Sequence, residues 1–105
     1  MTSSYAQGDP AVRGVVRLLN TADGRVLCLA GDVDAAVVDS FLRRYGREPV
    51  RVDAIDAGSV TALSAAGRDL LLDHVDLAAR SGRRLPLRRS PGLDRALADP
   101  ADDRP

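Results

Sequence analysis

Hydroxyl, carboxylate and glycine residues are concentrated in one stretch of the chain, which starts at Asp56 and closes with Gly67. Three hydroxyl residues lie between them: Ser59, Thr61 and Ser64. The pattern predicts the end of a strand, a tight loop and the start of an amphipathic helix. Unpaired N–H groups and the positive end of the helix dipole suit such a start to a hydroxyl cap, a phosphate or an acidic partner group. We therefore expect the functional surface at this helix start.

Cys28 and His74 are the other side chains that could do chemistry, and neither has a sequence context for catalysis. Cys28 lies in an apolar run that predicts a buried strand, and His74 stands beside Asp73 on a helix face that we expect to be solvated. One histidine and one distant cysteine do not have the spacing of a metal site. No glycine-rich loop with lysine is present to hold a nucleotide. The sequence thus predicts a protein that is not an enzyme, with no metal and no cofactor.

Composition narrows the class of protein further. The 105 residues are 45% hydrophobic and carry a formal net charge of +0, which favours one domain and argues against a sequence-independent nucleic-acid partner. No signal peptide and no apolar run long enough for a membrane span occurs in the sequence, so we expect no direct membrane insertion. A single cysteine cannot form an intramolecular disulfide. These observations predict a cytoplasmic protein.

Strand and helix patterns alternate between two polar ends, residues 1–11 and 99–105, which we predict to be flexible tails around a domain at residues 12–98. Apolar runs at 12–19 and 25–30, separated by a turn cluster, predict a hairpin. Asp34 is expected to cap a first helix that ends at Gly46. A further strand is predicted at 50–56.

A second helix is predicted from Ala65 to Arg80, with Ser81 and Gly82 as its stop. Leu85–Leu87 reads as a short strand, and Ser90 as the cap of a last helix. The order β-β-α-β-α-β-α predicts an α/β fold in which strands joined by helical crossovers pair in parallel.

Two segments of this pattern resemble STAS domains, the sulfate-transporter and anti-sigma-factor-antagonist family. Asp56, Val60, Leu63 and Gly67 fall in register with the family's serine loop, and Gly31-Asp32-Val33-Asp34 is similar to its Gly-acid-hydrophobic-Asp start of the first helix. The resemblance covers about Val12 to Ala98. It implies an α/β fold with an about four-stranded mixed sheet and helices packed mainly on one face.

The free-standing members that this chain resembles bind an anti-sigma factor, usually also a serine kinase, and so release a sigma factor. Phosphorylation of a serine at the second helix start switches that binding off, because phosphate adds about −1.5 to −2 charges to the docking face. The resemblance places a docking face at Ser64, Ala65, Ala66, Gly67 and Arg68, together with Asp32 and Asp34, whose charges set electrostatic complementarity.

The chain departs from the family at the switch itself. The usual acceptor serine aligns with Ala66, the residue before it is Ala65, and the family's aspartate is replaced by Ser64. We expect Ser64 to be an N-cap that accepts an N–H from Ala66 or Gly67 and contributes about 1 kcal/mol. The alternative is a phosphosite shifted to Ser64.

The missing acceptor has two explanations that the sequence leaves open. The protein is either an antagonist that phosphorylation cannot silence, or a diverged member that binds another protein with the same face. A second branch of the family resembles this chain in size and docks onto the ATPase of a lipid-transport ABC system. The partner expected is therefore an anti-sigma factor, with an ABC transporter ATPase as the alternative.

Overall fold

The computed structural model describes residues 14–98, which form an α/β fold with a mixed sheet. Within this range the four strands of the sheet lie side by side in chain order, and three helices pack mainly on one face. This agrees with the predicted fold class. The predicted tails lie outside the described residues. The elements are β1 (Val15–Thr21), β2 (Gly24–Val33), α1 (Ala35–Tyr45), β3 (Ala54–Leu63), α2 (Ala65–Arg80), β4 (Leu87–Arg88) and α3 (Pro91–Ala98).

The first two strands form the predicted hairpin. β1 pairs antiparallel with β2 in an unbroken register from Val15 opposite Ala30 to Thr21 opposite Gly24. β2 then pairs in parallel with β3, and β3 with the short β4. The crossovers α1 and α2 allow this parallel pairing. The hairpin prediction is confirmed, although β2 continues to Val33 and is longer than the expected 25–30.

The third strand is displaced from the position that the sequence predicted. Residues 50–53 are not strand, and β3 runs from Ala54 to Leu63 through most of the expected loop. The reason is an irregularity inside the strand: Oδ1 of Asp56 accepts the Gly58 N–H at 3.0 Å, and the register with β2 shifts beside it. A bulge absorbs the loop-forming residues without ending the strand. The loop prediction was therefore wrong for Asp56–Leu63.

One core cluster holds the sheet and the helices together. Its members are Leu27, Leu29 and Val33 of β2, Val52 before β3, Ile55, Ala57 and Val60 of β3, Val38 and Phe41 of α1, Leu70 and Leu71 of α2, and Leu93 of α3. Alternation along each strand divides the two faces of the sheet, as expected for period-2 geometry. Leu27 and Leu29 point into the core, whereas Cys28 between them is half-buried on the other face.

Candidate functional site

The starts of α1 and α2 lie side by side at the carboxyl-terminal ends of β2 and β3. These two strands are parallel, so their last paired residues, Val33 and Leu63, lie at the same end of the sheet. Each strand is followed by one capping residue and a helix. The backbone N–H of Ser64 donates to the carbonyl oxygen of Val33 at 2.9 Å, which joins the two turns. The crevice outside the carboxyl ends of parallel strands is where α/β proteins commonly bind ligands.

Both helix starts are capped by side-chain oxygens. Oδ1 of Asp34 accepts the Val37 N–H at 2.9 Å, and Oγ of Ser64 accepts the Gly67 N–H at 3.1 Å. Each bond satisfies one N–H that the helix itself cannot pair. The predicted N-cap role of Ser64 is confirmed, with Gly67 as the donor. The hydroxyl that would be the shifted phosphosite is thus an acceptor within the fold.

A glycine directs the Asp32 side chain outward at this end of the sheet. Gly31 has a φ of 71°, in the left-handed region that favours glycine. The register between β2 and β3 shifts between Gly31 and Asp32, so the strand bulges there. Asp32 is exposed beyond the bulge, and Asp34 is exposed two residues later. Two carboxylates therefore lie on the surface in front of the helix starts.

The residues of the second helix start differ in accessibility. Ala65 is exposed, Ala66 and Ser64 are half-buried, and Gly67 is buried. The Ala66 side chain packs against the core cluster and lines a cavity of about 280 Å³ between α1 and α2. Only part of the predicted docking segment can therefore contact a partner directly. The position that aligns with the family's acceptor presents a methyl group and no oxygen.

Gly67 allows α2 to approach the strand ends closely. A Cβ at this position would lie 2.6 Å from Cδ1 of Leu63 and 3.1 Å from Cγ1 of Val33. Contacts this short exceed normal packing, so only glycine fits without movement of its neighbours. Arg68, the next residue, is half-buried, and its backbone N–H donates to the Ser64 carbonyl at 2.9 Å. Within the predicted docking segment, residues 64–68, only Ala65 is exposed, Gly67 is buried and the other three residues are half-buried.

His74 contradicts the expectation of a solvated helix face. It is 2% exposed, its Nδ1 lies 2.8 Å from the Leu70 carbonyl oxygen, and its Nε2 accepts the Val50 N–H at 3.2 Å. The ring therefore donates from Nδ1 and accepts at Nε2. These bonds join α2 to the segment that leads into β3. The sequence signal for burial was present, because His74 follows Leu70 at helical spacing, but the neighbouring aspartates obscured it.

Cys28 lies on the sheet face opposite the core, in a row that crosses all four described strands: Arg17, Cys28, Asp56 and Arg88 occupy paired positions. Burial raises the pKa of the Cys28 thiol, the Asp56 carboxylate raises it further, and Arg17 opposes both effects. A raised pKa keeps the thiol protonated and unreactive at neutral pH. Cys28 is half-buried, which corrects the expected fully buried core thiol.

Neither a metal-binding group nor a membrane-spanning helix is found in the described part of the chain. Residues 14–98 contain no cluster of three or more His, Cys, Asp or Glu side chains arranged to hold a metal ion. None of the helices in this range is long and apolar enough to cross a bilayer. Comparisons of the chain with models of protein families, with characterised proteins and with solved structures found no match.

Proposed function

We propose that this protein is a STAS-type regulatory binding protein, most specifically an anti-sigma factor antagonist that acts in the cytoplasm. The observation that carries the proposal is the hydrogen bond from the Ser64 N–H to the Val33 carbonyl at 2.9 Å. It unites in one surface the two segments that resemble the family, the Gly31–Asp34 turn and the start of α2. The docking face is this surface.

The shape and charge of the docking face suit a protein partner. Ala35, Ala36 and Ala65 are exposed and small, so a partner can approach the helix starts closely. Asp32 and Asp34 add negative charge at one side, which favours a partner with basic side chains there. The small alanine side chains select a partner by shape, and the aspartates beside them select it by charge.

The absence of an oxygen at residue 66 supports an antagonist that phosphorylation does not silence. The half-buried Ala66 methyl packs against the core, and the nearest hydroxyl, that of Ser64, accepts the Gly67 N–H. Ser64 is also half-buried, so a kinase would have to draw its hydroxyl away from the helix start to modify it. Control of the protein by its abundance follows from this proposal.

Capture of partners by the tagged full chain from its native cytoplasm tests the proposal, with mass spectrometry of the bound proteins and of the peptide containing Ser64. An anti-sigma factor bound to unphosphorylated protein is the expected result. Capture of an ABC transporter ATPase instead would support the alternative partner. Stoichiometric phosphate on Ser64 would contradict the constitutive antagonist.

A pair of variants separates loss of docking from loss of folding. Ala65→Asp adds a charge at an exposed first-turn position, where the helix dipole favours it, so the fold should be retained. Ala79→Asp is the control, because Ala79 is exposed on the same helix about 21 Å away by helical rise. We expect Ala65→Asp to weaken binding of the captured partner about tenfold or more, because the larger side chain blocks close approach to the small residues there and its carboxylate would have to be desolvated, and Ala79→Asp to leave it unchanged. Equal affinities for both variants would place the interface elsewhere.

A further inference from the structure

The two edges of the described sheet differ in what covers them. At the β3 edge, Oγ of Ser90 donates to the Val60 carbonyl at 2.8 Å. Gly92 lies so close that a Cβ there would be 2.5 Å from the Val60 oxygen and 2.6 Å from the Thr61 oxygen. The start of α3 therefore closes this edge beyond the short β4. Such covering is a common protection against unwanted strand pairing.

The opposite edge, formed by β1, has no such cover within residues 14–98. β1 pairs with β2 at all seven positions, and no described segment pairs with its outer side. The strand contains no proline and no bulge, and Arg17 is its one charged residue, so it has little of what usually blocks an exposed edge. Its outward N–H and C=O groups are available to another extended segment.

A groove of about 710 Å³ lies between this edge and α1. The volume is in the range of ligand-binding clefts. Phe41 and Tyr45 form one wall, with ring centroids 4.8 Å apart. Tyr45 is 36% exposed in the groove, and Val15 and Leu19, 41% and 39% exposed, lie on the other face of β1, so apolar surface is left open on both sides of this strand edge. An added strand would cover this surface as well as the strand edge.

The charge of the groove is positive at its Tyr45 end. Arg44 lines that end and has no carboxylate partner among the described residues, unlike Arg43, which pairs with Asp39. The side chain of Arg17 lies on the opposite face of the edge strand, in the same row as Cys28. The guanidinium of Arg44 lies 5.7 Å from the Tyr45 ring centroid. Asp34 lines the other end, where its carboxylate accepts the Val37 N–H. Charge complementarity therefore favours an acidic occupant near the end of α1.

We infer that the groove binds an acidic, extended peptide segment of another protein, which pairs with β1 as an additional strand. Main-chain hydrogen bonds to β1 supply affinity that is independent of side chains, and alternate apolar side chains fill the space beside Phe41. An acidic side chain of the peptide pairs with Arg44. The groove meets the docking face at Asp34 and Ala36 and extends from there to Tyr45, and the inference does not depend on the identity of the partner at the docking face.

Selection from a phage-displayed library of random octapeptides on the full-length protein tests the inference. We expect enrichment of sequences with alternating apolar residues and at least one acidic residue. We expect the outward amides of β1 to exchange rapidly in the free protein, and a synthetic peptide of the enriched sequence to slow their hydrogen exchange. Failure to enrich such sequences, or a peptide that leaves the β1 amides unchanged, would overturn the inference.

Three variants make the test specific to the groove. Ser40→Tyr on the exposed side of α1 fills the groove, and Arg44→Glu reverses its charge. Both variants should bind the acidic peptide about tenfold more weakly, equivalent to about 1.4 kcal/mol of binding free energy. A Glu→Lys version of the peptide should regain affinity for Arg44→Glu. Arg95→Glu, exposed on α3, is the matched control and should bind as the unmodified protein does.

Two further results would count against the inference. If Arg95→Glu weakened the peptide as much as Arg44→Glu, the attraction would be to the overall charge of the protein. If all β1 amides were already protected in the free full-length protein, a second copy or another part of the chain would hold the edge. Sedimentation of the free protein distinguishes a second copy from another part of the chain, since only a second copy gives a dimer.

Discussion

The starts of α1 and α2 both follow the carboxyl ends of parallel strands and are capped by the same kind of hydrogen bond, but tertiary contacts hold them differently. In α1 the capping residue and the first two helical residues, Asp34, Ala35 and Ala36, are all exposed. In α2 the first turn sinks from the exposed Ala65 to the buried Gly67. α1 is therefore presented at the surface, whereas α2 is clamped to the strands behind it.

This difference changes where a partner can make contact. The resemblance to STAS domains places the regulatory position on α2, yet most of the accessible surface belongs to α1 and to Asp32. A rigid α2 start can hold the docking face in place while α1 and the acidic turn supply contact area. Positions held in this way are pre-organised for binding, which lowers the entropy lost on association.

The largest expected effect comes from His74, which clamps α2 at its middle. His74→Ala removes both ring hydrogen bonds and leaves a buried space, so we expect the free energy of unfolding to fall by about 3 kcal/mol. Urea denaturation, monitored by circular dichroism, measures this change in the free energy of unfolding. Asp73→Ala, an exposed neighbour on the same helix, should change stability by less than about 0.5 kcal/mol. Similar losses in both variants would mean that the histidine does not act as a clamp.

Gly67 tests the clamp at the start of the helix. Gly67→Val should lower stability by about 2 kcal/mol, because the new side chain overlaps Leu63 and Val33. Ala36→Val makes a β-branched side chain at the exposed α1 start and should cost about 0.5 kcal/mol from helix propensity alone. Thermal unfolding of the two variants gives the comparison directly. A tolerated valine at 67 would show that α2 can move away from the strands.

The two caps provide a smaller and sharper comparison. Ser64→Ala leaves the N–H of the buried Gly67 without a partner, whereas Asp34→Ala leaves an N–H close to solvent. We expect losses of about 1.5 kcal/mol for Ser64→Ala and about 0.7 kcal/mol for Asp34→Ala in chemical denaturation. The reverse order would indicate that the α1 start is the more firmly held of the two.

Cys28 gives the smallest effect and reports on the sheet behind both helices. Because burial and Asp56 raise the pKa of the thiol, its alkylation by iodoacetamide should be slower than that of a free cysteine at pH 8 and should speed up as the pH rises towards 10. The folded protein holds this proton more tightly, so stability from this group is lost as the pH rises through the raised pKa. Asp56→Asn should accelerate alkylation a few-fold. A rate equal to that of free cysteine would show that the sheet face is open.

Several elements followed directly from local sequence. The bounds of α2, the caps Asp34 and Ser64, and the end of α1 at Gly46 could be predicted, because helix periodicity and capping depend on residues within a few positions of one another. The α/β class and the mixed sheet followed from the order of the elements. The assignment to STAS domains and its partners stays a prediction.

The residues 50–63 and His74 could not be placed from sequence alone. Residues 50–53 have the sequence pattern of a strand but lie outside the sheet. Ser59 and Thr61 belong to a stretch with turn-forming composition, yet they lie within β3, because a bulge keeps this strand paired with β2. His74 is buried because Val50, which lies 24 residues earlier in the sequence, packs beside it and donates its N–H to Nε2. Both depend on segments distant in sequence, which local propensity does not describe.

The sequence by itself determined which residues cap α1 and α2, and that residue 66 has no side-chain oxygen to modify. Only the tertiary structure decided how these features lie together. The Ser64 to Val33 bond sets two helix starts in one surface, and the packing of α2 at Gly67 leaves Ala65 as the one exposed residue of the proposed docking segment 64–68. Capping and periodicity are short-range properties of a chain, whereas exposure is set by what packs against a residue from elsewhere in the fold.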